Sequence, residues 1–328
     1  MKAESALDAR HVLATPITIV GGTNVDIKCH ILGKTAWMTS NPGRVDVSVG
    51  GVGRNITENL WLLGANVALV TVLGRDAHGE MLKSHCHANE ISLVAHESAQ
   101  PTGTYTAILD EDGDLVIGVA AMDLMSELTP DALEPLIAAQ AAWFKPGAIL
   151  VLDANLPVES VVFLSAFAQE RALKLVFEPV SVPKCVKIRH VLMQQRPIFL
   201  MSPNQAQLTE LTGISLDHVE NLPKACAVLH AQNVQNLIIG RGPKGAFWSN
   251  GVVHGFVPAL AHEIIDATGG GDAALAGAVW ALAQGKTLEQ AAHIGQIAAS
   301  LAVSCAQSVN RTITATKILQ ILEKLHEA

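Results

Sequence analysis

From Ala148 onward, short apolar runs rich in β-branched residues alternate with longer stretches of helical period, and this pattern narrows the fold more than any other. Strands are predicted at 149–153, 174–177, 198–201 and 236–239, and helices at about 157–169, 205–211, 216–230, 273–283, 288–303 and 315–325. Alternation of this kind places parallel strands in one sheet with helices over both faces. In the first half, residues 16–22 (PITIVGG) read as a first buried strand ending in paired glycine, with Asn24 and Asp26 just past its C-terminal end, where open α/β sheets bind ligands. Residues 50–55 (GGVGRN) open a helix, with Ile56, Leu60 and Leu63 at helical spacing and Gly64 behind them. The next strand is expected at 67–73 and the next helix at about 79–87. Residues 28–49, broken by polar and turn-forming side chains, and a hairpin over 103–120 suit a small β lid. The expected architecture is a three-layer α/β/α sandwich, its central sheet mostly parallel, over 16–328, preceded by a weakly structured extension over 1–15.

The stretch 262–284 (HEIIDATGGGDAALAGAVWALAQ) is the place to look for chemistry. An extended apolar run is expected to end in Gly269, Gly270 and Gly271, and a long helix follows. Consecutive glycines let backbone N–H groups converge at a helix start, which makes an anion site. Asp272 stands at its mouth, placed to take a proton from a hydroxyl that attacks a phosphate. Read alone, the same residues also suit a plain helix cap and a tight turn.

Bulk properties exclude several classes. A 49 % hydrophobic content among 328 residues allows a large core, and a net charge of −8 argues against general binding to nucleic acid or anionic membranes. Five scattered cysteines without a C-x-x-C suggest neither a disulfide framework nor a cysteine-rich zinc site. With no run of signal-peptide or membrane-spanning character, a cytoplasmic protein is expected. Gly33-Lys34-Thr35 fails as a P-loop, because Lys28 stands where the leading glycine is required. His85 and His87, around Cys86, point to different sides of a helix and read as solvated rather than metal-binding.

Taken in order, Asn24-x-Asp26, the glycine-rich helix start at 50–55, Pro203-Asn204, Gly242-x-x-Gly245 and Asp266 followed by Gly-x-Gly-Asp272 make the chain resemble the ribokinase-like (PfkB) family of sugar and nucleoside kinases. Residues 40–43 (SNPG) ahead of 50–56, together with 179–187 (PVSVPKCVK), are similar to the branch that phosphorylates pseudouridine. The resemblance implies an ATP-dependent kinase with Mg²⁺ and a small nucleoside or sugar substrate, paired with a second copy through its lid. Asn24, Asp26, Asn55 and the backbone at Gly50 and Gly51 would hold the ribose. Asp272 would deprotonate the 5′-hydroxyl, and Gly269, Gly270 and Gly271 would bind the γ-phosphoryl charge. Asn204 would lie near the ATP phosphates and the water shell of Mg²⁺. Gly242 and Gly245 would pass beside the nucleotide, with Gln296 near the adenine. Carbonyls around Asp266 and Thr268 would hold a monovalent cation such as K⁺.

The chain departs from the family pattern at Gln207, where Glu is usual, at Gly270 for alanine, at Glu178 for Asp, and at the small apolar pair Ala120-Ala121. Two other readings stay open: another sugar or nucleoside kinase of this fold, or a binder of the same fold without turnover. A dinucleotide-dependent oxidoreductase does not fit, because the first strand is not followed by G-x-G-x-x-G.

Overall fold

The structure, a computed structural model, describes residues 13–260 and 264–327. The expected extension over 1–15 therefore lies largely outside the described residues, as do positions 261–263 of the run ahead of the glycines.

Nine strands form the main sheet, in the order β13-β12-β11-β10-β9-β8-β1-β4-β5. They are β1 (Ile17–Val20), β4 (Val67–Gly74), β5 (Ser92–Ser98), β8 (Ile149–Asp153), β9 (Lys174–Glu178), β10 (Ile198–Met201), β11 (Val234–Gly240), β12 (Ala246–Ser249) and β13 (His254–Val257). The seven from β11 to β5 are parallel, and β12 and β13 add an antiparallel edge. β4 and β8 are buried along their whole length, as strands covered on both faces must be, and their near-continuous apolar sequences reflect it.

The helices are α1 (Val52–Leu62), α2 (Ala77–Ala88), α3 (Pro130–Ala139), α4 (Val158–Glu170), α5 (Val182–Cys185), α6 (Arg189–Met193), α7 (Gln205–Thr212), α8 (Leu222–His230), α9 (Gly270–Ala283), α10 (Leu288–Val303) and α11 (Ala315–Glu327). One apolar cluster joins the sheet to α1, α9, α10 and α11, and a second fills the opposite face under α3, α4, α6 and α8. The sequence of α9 is apolar nearly all round, which suits only a buried helix, and Leu275, Val279, Trp280 and Leu282 are all buried.

A second sheet has four strands in the order β3-β2-β6-β7, namely β2 (Asn24–Ile31), β3 (Gly43–Gly50), β6 (Thr104–Leu109) and β7 (Leu115–Ala121). These are the segments expected to form a lid. β2 begins only four residues after β1 ends, so Asn24 and Asp26, just past the end of β1 as expected, belong to a strand of the small sheet. Two expectations need correction. The helix expected over 216–230 starts only at Leu222, because Pro223 belongs in a first turn and not in an interior. The apolar run ahead of the glycines is no strand where described, and Ile264 and Ile265 are about 60 % exposed.

The main sheet reverses its winding between β1 and β8, since from β1 the chain builds outward to β4 on one side and later to β8 on the other. Open α/β sheets bind their ligands in the crevice at such a switch point. Gly21, Gly22 and Asp153 stand at its carboxyl end, and the small sheet rises beside them.

Candidate active site

The sugar end of the crevice is built at the corner where β3 turns into α1. Gly51 has φ 99°, and a Cβ there would overlap the backbone of Gly22 and Thr23. A Cβ on Gly50 would stand inside the Asp26 carboxylate. Both glycines are therefore required by close approach as well as by the turn. Asp26 and Asn24 are buried, and the Asn24 amide donates to Asp26 Oδ1 at 2.6 Å. Burial raises the Asp26 carboxyl above its ordinary range, against the opposing pull of Asn24, Arg54 and Lys28.

α9 supplies the second half of the site. Its N-cap, Gly269, has φ 80° and rests against the carbonyl of Ser308 so closely that no side chain fits. No side chain among the described residues caps this end; the Gly270 N–H donates to the carbonyl of Ala267 at 3.3 Å, and the other first-turn N–H groups that lack a partner within the helix remain for an anion. Asp272 lies in that first turn, and Asn55 of α1 donates its amide to Asp272 Oδ2 at 2.7 Å. The other end of the same amide, Asn55 Oδ1, is buried with no hydrogen-bond partner among the described residues. Burial lifts the Asp272 carboxyl to about 7, helped by the charges of Asp153 and Asp26 and opposed by Asn55 and Arg54. A carboxyl poised there exchanges protons readily near neutral pH.

Two further acids belong to this cluster, and the sequence reading did not place them in the site. Asp153, fully buried at the end of β8, accepts from the N–H of Gly22 at 2.8 Å and of Asn155 at 2.9 Å. Glu178, at the end of β9, has its carboxyl raised well above the usual range by burial and by the charge of Asp272. The available signal was position, since each is the last residue of a buried strand at the crevice. Just beyond, Val180 adopts φ 64°, a strained value for a β-branched residue.

Behind α1, Arg54 binds Glu58 at 2.6 Å and donates to the carbonyls of Val49 and Gly50, bracing the glycine corner. Glu58 also meets His85 at 2.9 Å and Arg311 at 3.4 Å. Burial works to raise the Glu58 carboxyl, but His85 and Arg54 outweigh it and hold it at about 2. His85 is thus a partner of this pair and not a solvated helix residue, whereas His87 is exposed.

The nucleotide end is different in kind. A cavity of about 570 Å³ is lined by Gly240, Gly242, Pro243, Gly245, Ala259, Leu260, Ile264, Ala267, Gly270, Gly271, Ala274, Gln296, Ala299, Ser300 and Val303. It brings together the expected Gly242, Gly245, Gln296 and two glycines of the anion site. Asn204 is not in its lining. Its Oδ1 accepts from the Gln207 N–H at 2.9 Å, while Gln207 Oε1 accepts from the Asn204 N–H at 2.8 Å, a reciprocal cap on α7. Asn204 reaches the cavity only through its bridge to Gly240.

Beside the carbonyls expected to hold a monovalent cation, the Asp266 side chain is engaged within the chain. Asp266 Oδ1 accepts from the Thr268 N–H at 2.8 Å, and Oδ2 lies 2.5 Å from the ammonium of Lys28. Among the described residues no group of three or more His, Cys, Asp and Glu could hold a metal ion.

A second cavity, of about 540 Å³, opens between the small sheet and the ends of β8 and β9, lined by Ala120, Met122, Asp123, Met125, Ser126, Asn155, Pro157, Lys184 and Lys187. Lys184 donates to Asn155 Oδ1 at 2.6 Å, and Lys187 to the carbonyls of Ala154 and Leu156 at 2.9 and 2.7 Å. Asn155 packs against Gly22, so this cavity adjoins the corner that holds Asp26 and Asn55.

Comparison with known proteins bears on the family and the fold. The model of the pfkB family of carbohydrate kinases matches residues 15–315. Pseudouridine kinase of Escherichia coli (strain K12) is 27 % identical over 313 residues, covering 94 % of this chain and 96 % of that protein. Among solved structures, a carbohydrate kinase from Agrobacterium tumefaciens superposes with a TM-score of 0.81 at 29 % identity, covering 94 % of this chain and 96 % of the other. The structure of Arabidopsis thaliana ribokinase complexed with ribose and ATP gives 0.79 at 21 % identity, covering 94 % and 99 %, and supports the fold. With the family model spanning nearly the whole chain, the protein belongs to the pfkB family of carbohydrate kinases and is a phosphotransferase acting on an alcohol group.

Proposed function

We propose that the protein transfers the γ-phosphoryl group of ATP to the 5′-hydroxyl of pseudouridine. The observation that carries this reading is the Asn55–Asp272 pair, which sets a carboxylate titrating at about 7 beside the open N-terminus of α9. Asp26 accepts hydrogen bonds from ribose hydroxyls, and the unpaired Asn55 Oδ1 accepts one from a further hydroxyl. Asp272 removes the proton of the attacking 5′-hydroxyl. The N–H groups at Gly269, Gly270 and Gly271 stabilise charge on the transferring phosphoryl, that of Gly270 by turning from the Ala267 carbonyl to which it donates at 3.3 Å. ATP occupies the 570 Å³ cavity. Mg²⁺ would arrive with the nucleotide rather than in a protein cage, with Glu178 and Asn204 as the side chains that would hold its water shell. Bound there, the ion would supply positive charge against the β- and γ-phosphates.

The base end favours a nucleoside over a free sugar. The 540 Å³ cavity beside the ribose corner has room for a base, flanked by Met122 and Met125, with Lys184, Lys187 and Asn155 available to the carbonyls and N–H groups of a uracil ring. A kinase acting on ribose or a hexose would leave that space unused. A binder without turnover has no need of a carboxylate beside its phosphate site.

The same proposal includes a second copy of the chain. One face of the small sheet bears Val45, Val47, Ile117 and Val119, each 49–59 % exposed, and pairing with another such face would cover them. No helix among the described residues is long and apolar enough to cross a membrane. The five cysteines are free, in keeping with a cytoplasmic location.

A coupled assay of ADP release tests the assignment across pseudouridine, uridine, ribose and fructose. Pseudouridine should exceed uridine in kcat/KM by at least about tenfold if a buried hydrogen bond reads its extra ring N–H. Equal efficiency on both, or a preference for ribose or fructose, overturns the pseudouridine reading and leaves the kinase standing.

A further inference from the structure

β2 sends two charged side chains to the same face of the small sheet, Asp26 and Lys28, two residues apart. The Lys28 ammonium lies 2.5 Å from Asp266 Oδ2 and 3.4 Å from the carbonyl oxygen of Ala306. Those acceptors belong to the two loops that frame the anion site. Asp266 stands three residues before Gly269, and Ala306 stands two before Ser308, whose carbonyl fixes Gly269. The loops are joined again where the N–H groups of Ile265 and Asp266 donate to the carbonyl of Val303, at 2.8 and 3.2 Å.

A carboxylate beside the carbonyl end of α10 needs a cation, because the negative pole of the helix and the acid reinforce each other. The Asp266 carboxylate is held from both sides, by the Lys28 ammonium at Oδ2 and by the Thr268 N–H at Oδ1. Carbonyls around Asp266 and Thr268 are the ones expected to hold K⁺, and the chain's own ammonium, a monovalent cation like potassium, stands beside them against the Asp266 carboxylate and the Ala306 carbonyl.

We propose that Lys28 is a tethered substitute for the free monovalent cation, so that the anion site is ordered without K⁺. Because Lys28 belongs to the same strand as Asp26, the cation also ties the sheet that reads the sugar to the loop that leads into the phosphate site. The proposal rests on the kinase reading above.

The test compares the wild type with Lys28→Met, which keeps the stem and removes the charge. Turnover and melting temperature are followed at constant ionic strength while KCl or NH₄Cl replaces choline chloride. The wild type should turn over equally well in choline and in K⁺, and its melting temperature should not respond to the exchange. Lys28→Met should lose about tenfold or more in choline, since a hydrogen-bonded charge is missing. K⁺ or NH₄⁺ should restore its rate and raise its melting temperature. Activation of the wild type by K⁺ overturns the proposal and needs no variant to be folded. Full activity of Lys28→Met in choline overturns it as well. If neither protein turns over in any salt, the kinase reading fails, while the melting temperatures still decide whether K⁺ stabilises only the variant.

Discussion

The two ends of the crevice are made by opposite means. At the sugar end, side chains from separate elements meet in direct hydrogen bonds: Asn24 and Asp26 from β2, Asn55 from α1, Asp272 from α9. At the nucleotide end the walls are glycine, alanine and a few aliphatic side chains, and Gln296 and Ser300 are among its few polar groups. The first design desolvates carboxylates and leaves an amide oxygen unpaired, so it discriminates sharply between ligands that do and do not complete it. The second recognises shape and backbone, where one change costs little. The difference teaches where to expect large and small mutational effects.

Asp272→Asn probes the sugar end hardest. The amide keeps the shape but cannot accept the proton, so kcat should fall about 10²–10⁴-fold while ATP still binds. In the wild type, kcat/KM should rise about tenfold per pH unit toward about 7 and level off above it, as Asp272 ionises. The linkage runs the other way for stability. A carboxyl raised from 3.8 to about 7 on folding binds its proton more tightly in the native state, so stability falls as pH rises through that window. Asp272→Asn should therefore melt higher than the wild type at pH 8, and the gap should close toward pH 4. A flat pH profile, or full activity in the variant, removes Asp272 from the chemistry.

Asp26→Ala comes next. It touches only the ribose, so it should lower kcat/KM for pseudouridine and uridine together by roughly 5- to 150-fold, leaving their ratio unchanged. A changed ratio would mean that the base also depends on Asp26 and that the two ends of the nucleoside are not read separately. The smallest effect belongs to the other wall. Gln296→Ala, losing one ordinary hydrogen bond, should raise KM for ATP by about 2- to 10-fold with kcat nearly unchanged. An effect as large as that of Asp26→Ala would erase the contrast between the two ends.

The same contrast explains what could be read from sequence. Glycine runs with a short polar residue beside them, such as Gly50-Gly51 or Gly269 to Asp272, announce close approach because few other residues allow it. The parallel strands were visible because burial on both faces demands unbroken apolar runs, as in β4 and β8. Strand β5 was missed, since His96 and Glu97 break its pattern at an edge, and so was the β12–β13 hairpin, although Asn250-Gly251 at its turn was the signal for it. Asp153 and Glu178 look like any acid after a strand until the fold gathers them around Asp272. Lys28 and Asp266, 238 residues apart, carry no local pattern, so only the folded chain shows that they meet.

The absence of room at Gly50 also bears on how such an enzyme can change its substrate over evolutionary time. Any side chain there displaces the Asp26 carboxylate, so the ribose corner cannot drift by small steps without losing its grip on every substrate at once. Ala120, exposed on the lining of the second cavity, meets no such constraint, and substitutions there can be sampled singly. New specificities in this lineage should therefore arise by exchange of the moiety attached to the sugar, with the sugar itself kept.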